Sequence, residues 1–82
     1  MKSPFLAIVN PAAGGGRSGK LAPGTVDLVR GAGIELDVAQ TTRAGEATEI
    51  ARKAYSAGMR HVLAVGGDGT AFEILNGLFP EA

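Results

Sequence analysis

The chain contains three short segments with the apolar patterns of β-strands, and each is followed by a segment of helical periodicity. Phe5 to Val9 and Val62 to Val65 are continuous apolar runs, and the first of them is typical of a strand buried on both faces of a parallel sheet. Ile34 to Gln40 alternates apolar and polar residues, and this period of two predicts a half-exposed edge strand. The pattern therefore predicts three strands, the second of them at an edge of the sheet.

Helical spacing predicts one helix after each strand. The first helix is expected between Ser18 and Ala32, although Pro23 makes its start uncertain because proline is tolerated only in the first turn. The second is expected from Gly45 or Glu46 to Ala57, and the third from Thr70 to about Leu78, stopped by Pro80. The expected buried stripes are Leu21, Thr25, Leu28 and Val29 in the first helix and Ala47, Ile50, Ala51 and Ala54 in the second.

Strands that alternate with helices imply right-handed crossovers and a parallel sheet. The expected fold is therefore α/β, a three-layer Rossmann-like sheet built from three β-α units. Ligands of such folds bind where neighbouring crossovers go to opposite faces of the sheet. The glycine-rich loops after the first and third strands should then be neighbours, which predicts the strand order 2-1-3. An open edge at Val62 to Val65 would invite self-association with a second copy.

Composition excludes several classes of protein. Eight basic and eight acidic residues give a net charge of zero, which argues against nucleic acid as a partner. The absence of cysteine excludes a disulfide scaffold and thiolate metal sites. No apolar run approaches the ~20 residues of a transmembrane helix, and the first residues do not form a secretory signal. A cytoplasmic protein is expected, with membrane contact that is at most peripheral.

The segment Gly66-Gly67-Asp68-Gly69-Thr70 lies between the third strand and the third helix. Glycines there let the backbone approach an anion and adopt positive φ, while the helix start presents unpaired N–H groups. Asp68 adds a carboxylate that could meet a metal ion or a hydroxyl. A plain strand-to-helix turn is the alternative, but such a turn rarely needs three glycines around an acid.

A second glycine-rich segment, Asn10 to Lys20, follows the first strand. Its Arg17 and Lys20 could meet phosphate oxygens or could equally be solvated loop charges. Thr41 precedes the second helix, where it could cap that helix or contact a ligand. Glu73 is either a surface acid that compensates the dipole of the third helix or part of a polar site.

Taken together, these segments match a known pattern in the right order. The pattern comprises NP-x-x-GGG-R-S-GK from Asn10, T-x-x-x-GEA from Thr41, and GGDGT-x-x-E-x-x-NG from Gly66. The chain thus resembles the diacylglycerol kinase catalytic domain family, which includes bacterial lipid kinases and sphingosine kinases and is more distantly similar to NAD kinases. Phe72 departs from the pattern, because bacterial members often carry Asn at that position.

The resemblance implies transfer of the ATP γ-phosphoryl group to a lipid hydroxyl in phospholipid metabolism, with Mg²⁺. Residues 1–82 would form a partial nucleotide-binding domain, with the catalytic base beyond Ala82, so the chain alone is expected to bind nucleotide weakly and to catalyse nothing. Asp68 is the candidate metal ligand. The implied nucleotide-binding residues are Asn10, Pro11, Gly14, Thr41, Gly66, Gly67, Asp68, Gly69, Thr70 and Glu73. An NAD kinase-like enzyme and a non-catalytic nucleotide-binding or self-associating module are the alternatives.

Overall fold

The computed structural model describes residues 5–79. Three parallel strands form one sheet in the order β2-β1-β3, which confirms the predicted α/β fold and strand order. In the central strand, Ala7 pairs with Val38 on one side and Leu63 on the other. The elements in chain order are β1 (Phe5–Val9), α1 (Arg17–Gly31), β2 (Leu36–Gln40), α2 (Glu46–Ser56), β3 (His61–Val65) and α3 (Asp68–Leu78).

The central strand β1 carries the core, because Leu6, Ile8 and Val9 are fully buried. Successive side chains of a strand point to opposite faces, so β1 contributes to two separate apolar clusters. Helices α2 and α3 cover one face and α1 covers the other, which gives three layers. The first cluster contains Leu6, Ile8, Ala47, Ala51, Ala54, Met59 and Ile74, and the second contains Ala7, Val26 and Leu36.

Helix α1 buries only part of its predicted stripe, in which Val29 packs against the second cluster. Ala22 and Val26 are its buried residues, whereas Leu21 and Leu28 are 59% and 78% exposed. The observed stripe runs through Ala22, Val26 and Val29, and it shares only Val29 with the predicted one. Pro23 lies inside the helix, which begins at Arg17.

The remaining elements agree with their predictions apart from their boundaries. Ala47, Ala51 and Ala54 are buried and Ile50 packs beside them, as the predicted stripe of α2 requires. Strand β2 begins two residues later than predicted and α3 begins two residues earlier, at Asp68. The predicted stop at Pro80 lies outside the described residues.

Helices α2 and α3 pack closely because Gly77 of α3 is buried without a side chain. A Cβ at this position would run into the backbone carbonyl of Thr48 and lie 2.8 Å from the Cβ of Ala51. Such contacts exclude any larger residue unless the helices separate. This close packing fixes α2 and α3 relative to each other, and with them the positions at which the loops join the two helices.

Candidate functional site

The loops that follow the three strands meet at one edge of the sheet. The amide of Thr41 donates to the carbonyl of Val9 at 2.8 Å, and the amide of Asn10 donates to the carbonyl of Val65 at 2.9 Å. These hydrogen bonds continue the parallel ladders beyond the ends of the strands. The carboxyl edge of a parallel sheet is where α/β folds bind ligands, so the loops converge at the expected place.

A cavity of about 270 Å³ opens between these loops. Four residues predicted from the sequence line it: Asn10, Thr41, Thr70 and Glu73. The other predicted site residues are absent from its lining but belong to the same two glycine-rich loops. The cavity is also lined by residues that were not among the predicted site residues, namely Ala12, Thr42, Arg43, Ala44 and Ala47.

The loop after β1 owes its shape to glycines that adopt left-handed backbone conformations. Gly14, Gly15 and Gly16 have φ values of 65°, 69° and 95°, which L side chains rarely adopt. At the start of this loop the Oδ1 atom of Asn10 accepts a hydrogen bond from the amide of Ala12 at 3.2 Å. Asn10 is thereby held in a turn that brings its side chain to the cavity.

The GGDGT loop uses its glycines differently from the sequence prediction. None of Gly66, Gly67 and Gly69 has a positive φ, so that part of the prediction is wrong. Gly66 is required by close packing, because a Cβ there would collide with the side chain of Thr70. Gly67 is the N-cap residue of α3, with an extended backbone and open space around it. Gly66 is therefore needed for the close approach of its backbone to the side chain of Thr70 and not for a positive φ.

The N-terminus of α3 is open to a ligand. The N-cap residue Gly67 has no side chain that could cap the helix. The first N–H groups of a helix have no carbonyl partner within the helix. Such N–H groups and the positive end of the helix dipole favour an anion. Because Thr70 lies in the first turn of α3 and also lines the cavity, the helix start and the cavity adjoin.

Asp68 is exposed at the start of α3. Within residues 5–79, no three acidic or histidine side chains come together to hold a metal ion. Mg²⁺ is commonly bound by one or two carboxylates together with substrate phosphates and water. The donor set is therefore compatible with a magnesium ion that arrives with a phosphate ligand, and does not form a self-sufficient metal site.

The loop before α2 supplies Thr41 to Ala44 to the lining of the cavity. The amide and the hydroxyl of Thr42 both donate to Oε1 of Glu46, the hydroxyl at 3.0 Å. These hydrogen bonds stabilise the carboxylate and lower the pKa of Glu46. Nη2 of Arg43 donates to Oε2 of Glu49 at 2.7 Å, and this contact raises the pKa of Arg43.

Thr42 and Arg43 were not predicted as site residues, and their side chains bind acidic residues of α2. Both lie beside the recognised Thr41, and each reaches an acid in α2 rather than a residue of another loop. The four-residue spacing of Thr42 and Glu46 is a signal that sequence alone offers, because it allows a hydroxyl before a helix to meet a carboxylate in the first turn.

Glu73 joins α3 to the start of α2. Its Oε1 atom accepts a hydrogen bond from the amide of Gly45 at 3.1 Å. The carbonyl of the same residue accepts from the hydroxyl of Thr48 at 2.7 Å. Glu73 is half-buried and is therefore more than an acid on the surface of α3.

The model of the diacylglycerol kinase catalytic domain matches residues 4–82 of this chain. Sphingoid long-chain bases kinase 1 of Arabidopsis thaliana is 41% identical over 76 residues, which cover 90% of this chain and 10% of that protein. A protein of Chromohalobacter salexigens named probable lipid kinase YegS-like is 47% identical over 53 residues, covering 65% of this chain and 17% of its own length.

The fold is similar to that of a solved diacylglycerol kinase from Bacillus anthracis str. Sterne. The TM-score is 0.68 at 29% sequence identity, and the match covers 98% of this chain and 29% of the solved chain. The chain thus spans less than a third of each of these three proteins. None of the helices within residues 5–79 has the length and apolar character needed to cross a membrane.

Proposed function

The chain belongs to the diacylglycerol kinase catalytic domain family, and on that premise we propose that it supplies the nucleotide-binding part of a lipid kinase. The reaction is transfer of the γ-phosphoryl group of ATP to a lipid hydroxyl. Such chemistry depends on positioning and charge neutralisation more than on covalent participation of the protein. Since the chain spans less than a third of the relatives it matches, we assign none of its residues as the base for the acceptor hydroxyl.

The observation that carries the proposal is the cavity at the carboxyl edge of the sheet. Its volume of about 270 Å³ lies just below the range of ~300–1,000 Å³ that is common for small-molecule sites. The cavity suits part of a nucleotide, and its lining of hydroxyl and amide groups suits a polar part. We assign Asn10, Thr41 and Thr70 to contact with the nucleotide.

The proposed phosphate site is the GGDGT loop. The start of α3, where Asp68 and Gly69 are exposed, offers backbone N–H groups to phosphate oxygens. Gly66 and Thr70 hold that turn against the end of β3 through their close contact. The exposed Gly67 and Gly69 leave the approach to the backbone unobstructed. Pro11 and Gly14 would border the nucleotide from the other glycine-rich loop.

Asp68 would hold Mg²⁺ directly or through water, together with phosphate oxygens. When bound, the ion neutralises charge on the phosphates as it develops during transfer. Asp68 itself contributes a solvent-accessible carboxylate beside the helix terminus. A carboxylate alone at that place would repel phosphate, so its useful partner is a cation.

We also propose that the chain self-associates through β3. This strand is one edge of the sheet, and its Leu63 is a large apolar residue with 37% of its surface exposed. An edge strand presents unpaired backbone groups that a second strand can satisfy. Pairing of two copies of β3 would bury both the apolar side chains and the edge. We further propose a cytoplasmic location with at most peripheral membrane contact.

Calorimetry with the 82-residue chain tests the nucleotide site. We expect Mg²⁺-ATP to bind weakly, free ATP to bind more weakly, and adenosine to give no measurable heat, because the phosphates supply the main contacts. Equal affinity for adenosine and Mg²⁺-ATP would contradict the proposal. Incubation with radiolabelled ATP and diacylglycerol, sphingosine or NAD should give no product with the chain alone. In the full-length parent protein, phosphorylation of NAD alone among these three acceptors would contradict the lipid kinase proposal.

A further inference from the structure

The hydrogen bond between Glu73 and Gly45 joins residues that lie 28 positions apart in the chain. Gly45 is the N-cap residue of α2 and has a left-handed backbone with φ of 84°. No side chain of the preceding loop caps the helix. The carboxylate of Glu73 therefore satisfies an N–H group at the start of α2 that would otherwise lack a protein partner.

The start of α2 sets the position of one wall of the cavity. The lining includes Thr41 to Ala44 immediately before Gly45, and Ala47 immediately after it. The hydrogen bond from Thr48 to the carbonyl of Glu73 and the close packing of Gly77 join the same two helices further along. Of these three contacts between α2 and α3, the hydrogen bond from Gly45 to Glu73 lies nearest in the chain to Thr41 to Ala44, which line the cavity.

We propose that Glu73 is a positioning residue that acts on the nucleotide through Gly45. Its carboxylate fixes the start of α2 and hence the wall formed by Thr41 to Ala44. This inference rests on the proposed nucleotide site but assigns Glu73 a role other than direct contact. An acid in a cavity for phosphate weakens binding by repulsion. The hydrogen bond to Gly45 gives the charge a function that does not need a metal ion.

Three variants separate positioning from the other roles. Glu73→Gln keeps an oxygen that can accept from Gly45, Glu73→Ala removes it, and Glu35→Gln is a control at an exposed residue before β2. We expect Glu73→Ala to weaken Mg²⁺-ATP binding about 3- to 10-fold, the effect of one net hydrogen bond. Glu73→Gln should change the affinity by less than about twofold.

Nuclear magnetic resonance gives a readout that does not depend on nucleotide. The amide proton shift of Gly45 should change in Glu73→Ala, which removes the acceptor of its hydrogen bond, and should stay close to the parent value in Glu73→Gln. In Glu73→Ala the amides from Thr41 to Ala47 should exchange with solvent faster. Unchanged shift and exchange in Glu73→Ala would overturn the proposal.

Two outcomes of the binding experiment would also contradict the positioning role of Glu73. If Glu73→Gln loses as much affinity as Glu73→Ala, and only when Mg²⁺ is present, then Glu73 contacts the metal directly. If both variants bind as the parent chain does and only their melting temperatures fall, then the role is structural. Should the parent chain bind no nucleotide, the proposed function fails, and the amide measurements alone decide whether Glu73 positions the wall.

Discussion

Replacement of Gly67 by aspartate should separate phosphate binding from folding. Gly67 is the N-cap residue of α3, its φ and ψ are −93° and −169°, and a Cβ there meets no atom within 4 Å. Asp and Asn both favour this position, since their side chains accept from the free N–H groups of the first turn. We therefore expect Gly67→Asp to fold normally and to gain a few tenths of a kcal/mol in stability.

The cost to binding follows from the added charge. Two unit charges about 4 Å apart interact by about 1 kcal/mol in water and about 4 kcal/mol at an effective dielectric constant of ~20. Gly67 is exposed, which favours the lower value, but a polyphosphate carries several charges. We expect a loss of about 1–3 kcal/mol in binding free energy, or about 5- to 150-fold in affinity. Added salt should reduce the loss by screening.

The matched control is Gly67→Asn, which has nearly the same shape and also caps the helix but carries no charge. Calorimetric titration of each variant with Mg²⁺-ATP, beside thermal unfolding by circular dichroism, measures both effects. Parent-like affinity in a folded Gly67→Asp variant would refute the phosphate assignment. Equal losses in both variants would show that side-chain volume, not charge, disrupts the site.

Other regions of the chain give further predictions. Gly77→Ala should destabilise the chain by about 1–3 kcal/mol because its Cβ meets the backbone of α2. Its control, Gly24→Ala, has open space inside α1 and should gain about 0.5–1 kcal/mol in thermal unfolding. Hydrogen bonds from Thr42 lower the pKa of Glu46, so their stabilisation is present above the ordinary glutamate pKa and is lost as pH falls through the folded value. Carbon-detected titration should show that low pKa, and Thr42→Val should raise it only in part, because the backbone hydrogen bond at this position, the larger cause, remains. Light scattering over a concentration series should show dimers that Leu63→Lys abolishes; a monomer at high micromolar concentration would contradict edge pairing.

The strands and their order could be predicted because the apolar runs are short and the glycine-rich loops follow alternate strands. Those features constrain topology directly, since crossovers have one hand and ligand loops share one edge. The buried face of α1 could not be predicted in the same way. Leu21 and Leu28 are strongly hydrophobic and yet exposed, whereas Ala22 and Val26 are buried, so hydrophobic spacing alone did not identify the buried face.

Within the site, sequence reasoning found the residues that belong to recognisable motifs. It identified Asn10, Thr41, Thr70 and Glu73, which the fold brings to one cavity. It missed the contact of Glu73 with Gly45, because no local spacing encodes a hydrogen bond between two helices. The backbone of the GGDGT loop was also mispredicted, since glycine signals both positive φ and close approach, and only coordinates distinguish the two.

The central claim is that nucleotide phosphates bind at the carboxyl edge of the sheet, against the first turn of α3. Amide shift mapping of the isotopically labelled chain during titration with Mg²⁺-ATP tests it most directly. We predict the largest shifts from Gly66 to Thr70, with smaller shifts at Asn10 and Thr41 and none at Gly33, before β2. The absence of shifts in the GGDGT loop at saturating nucleotide, or a maximum near Gly33, would contradict the account.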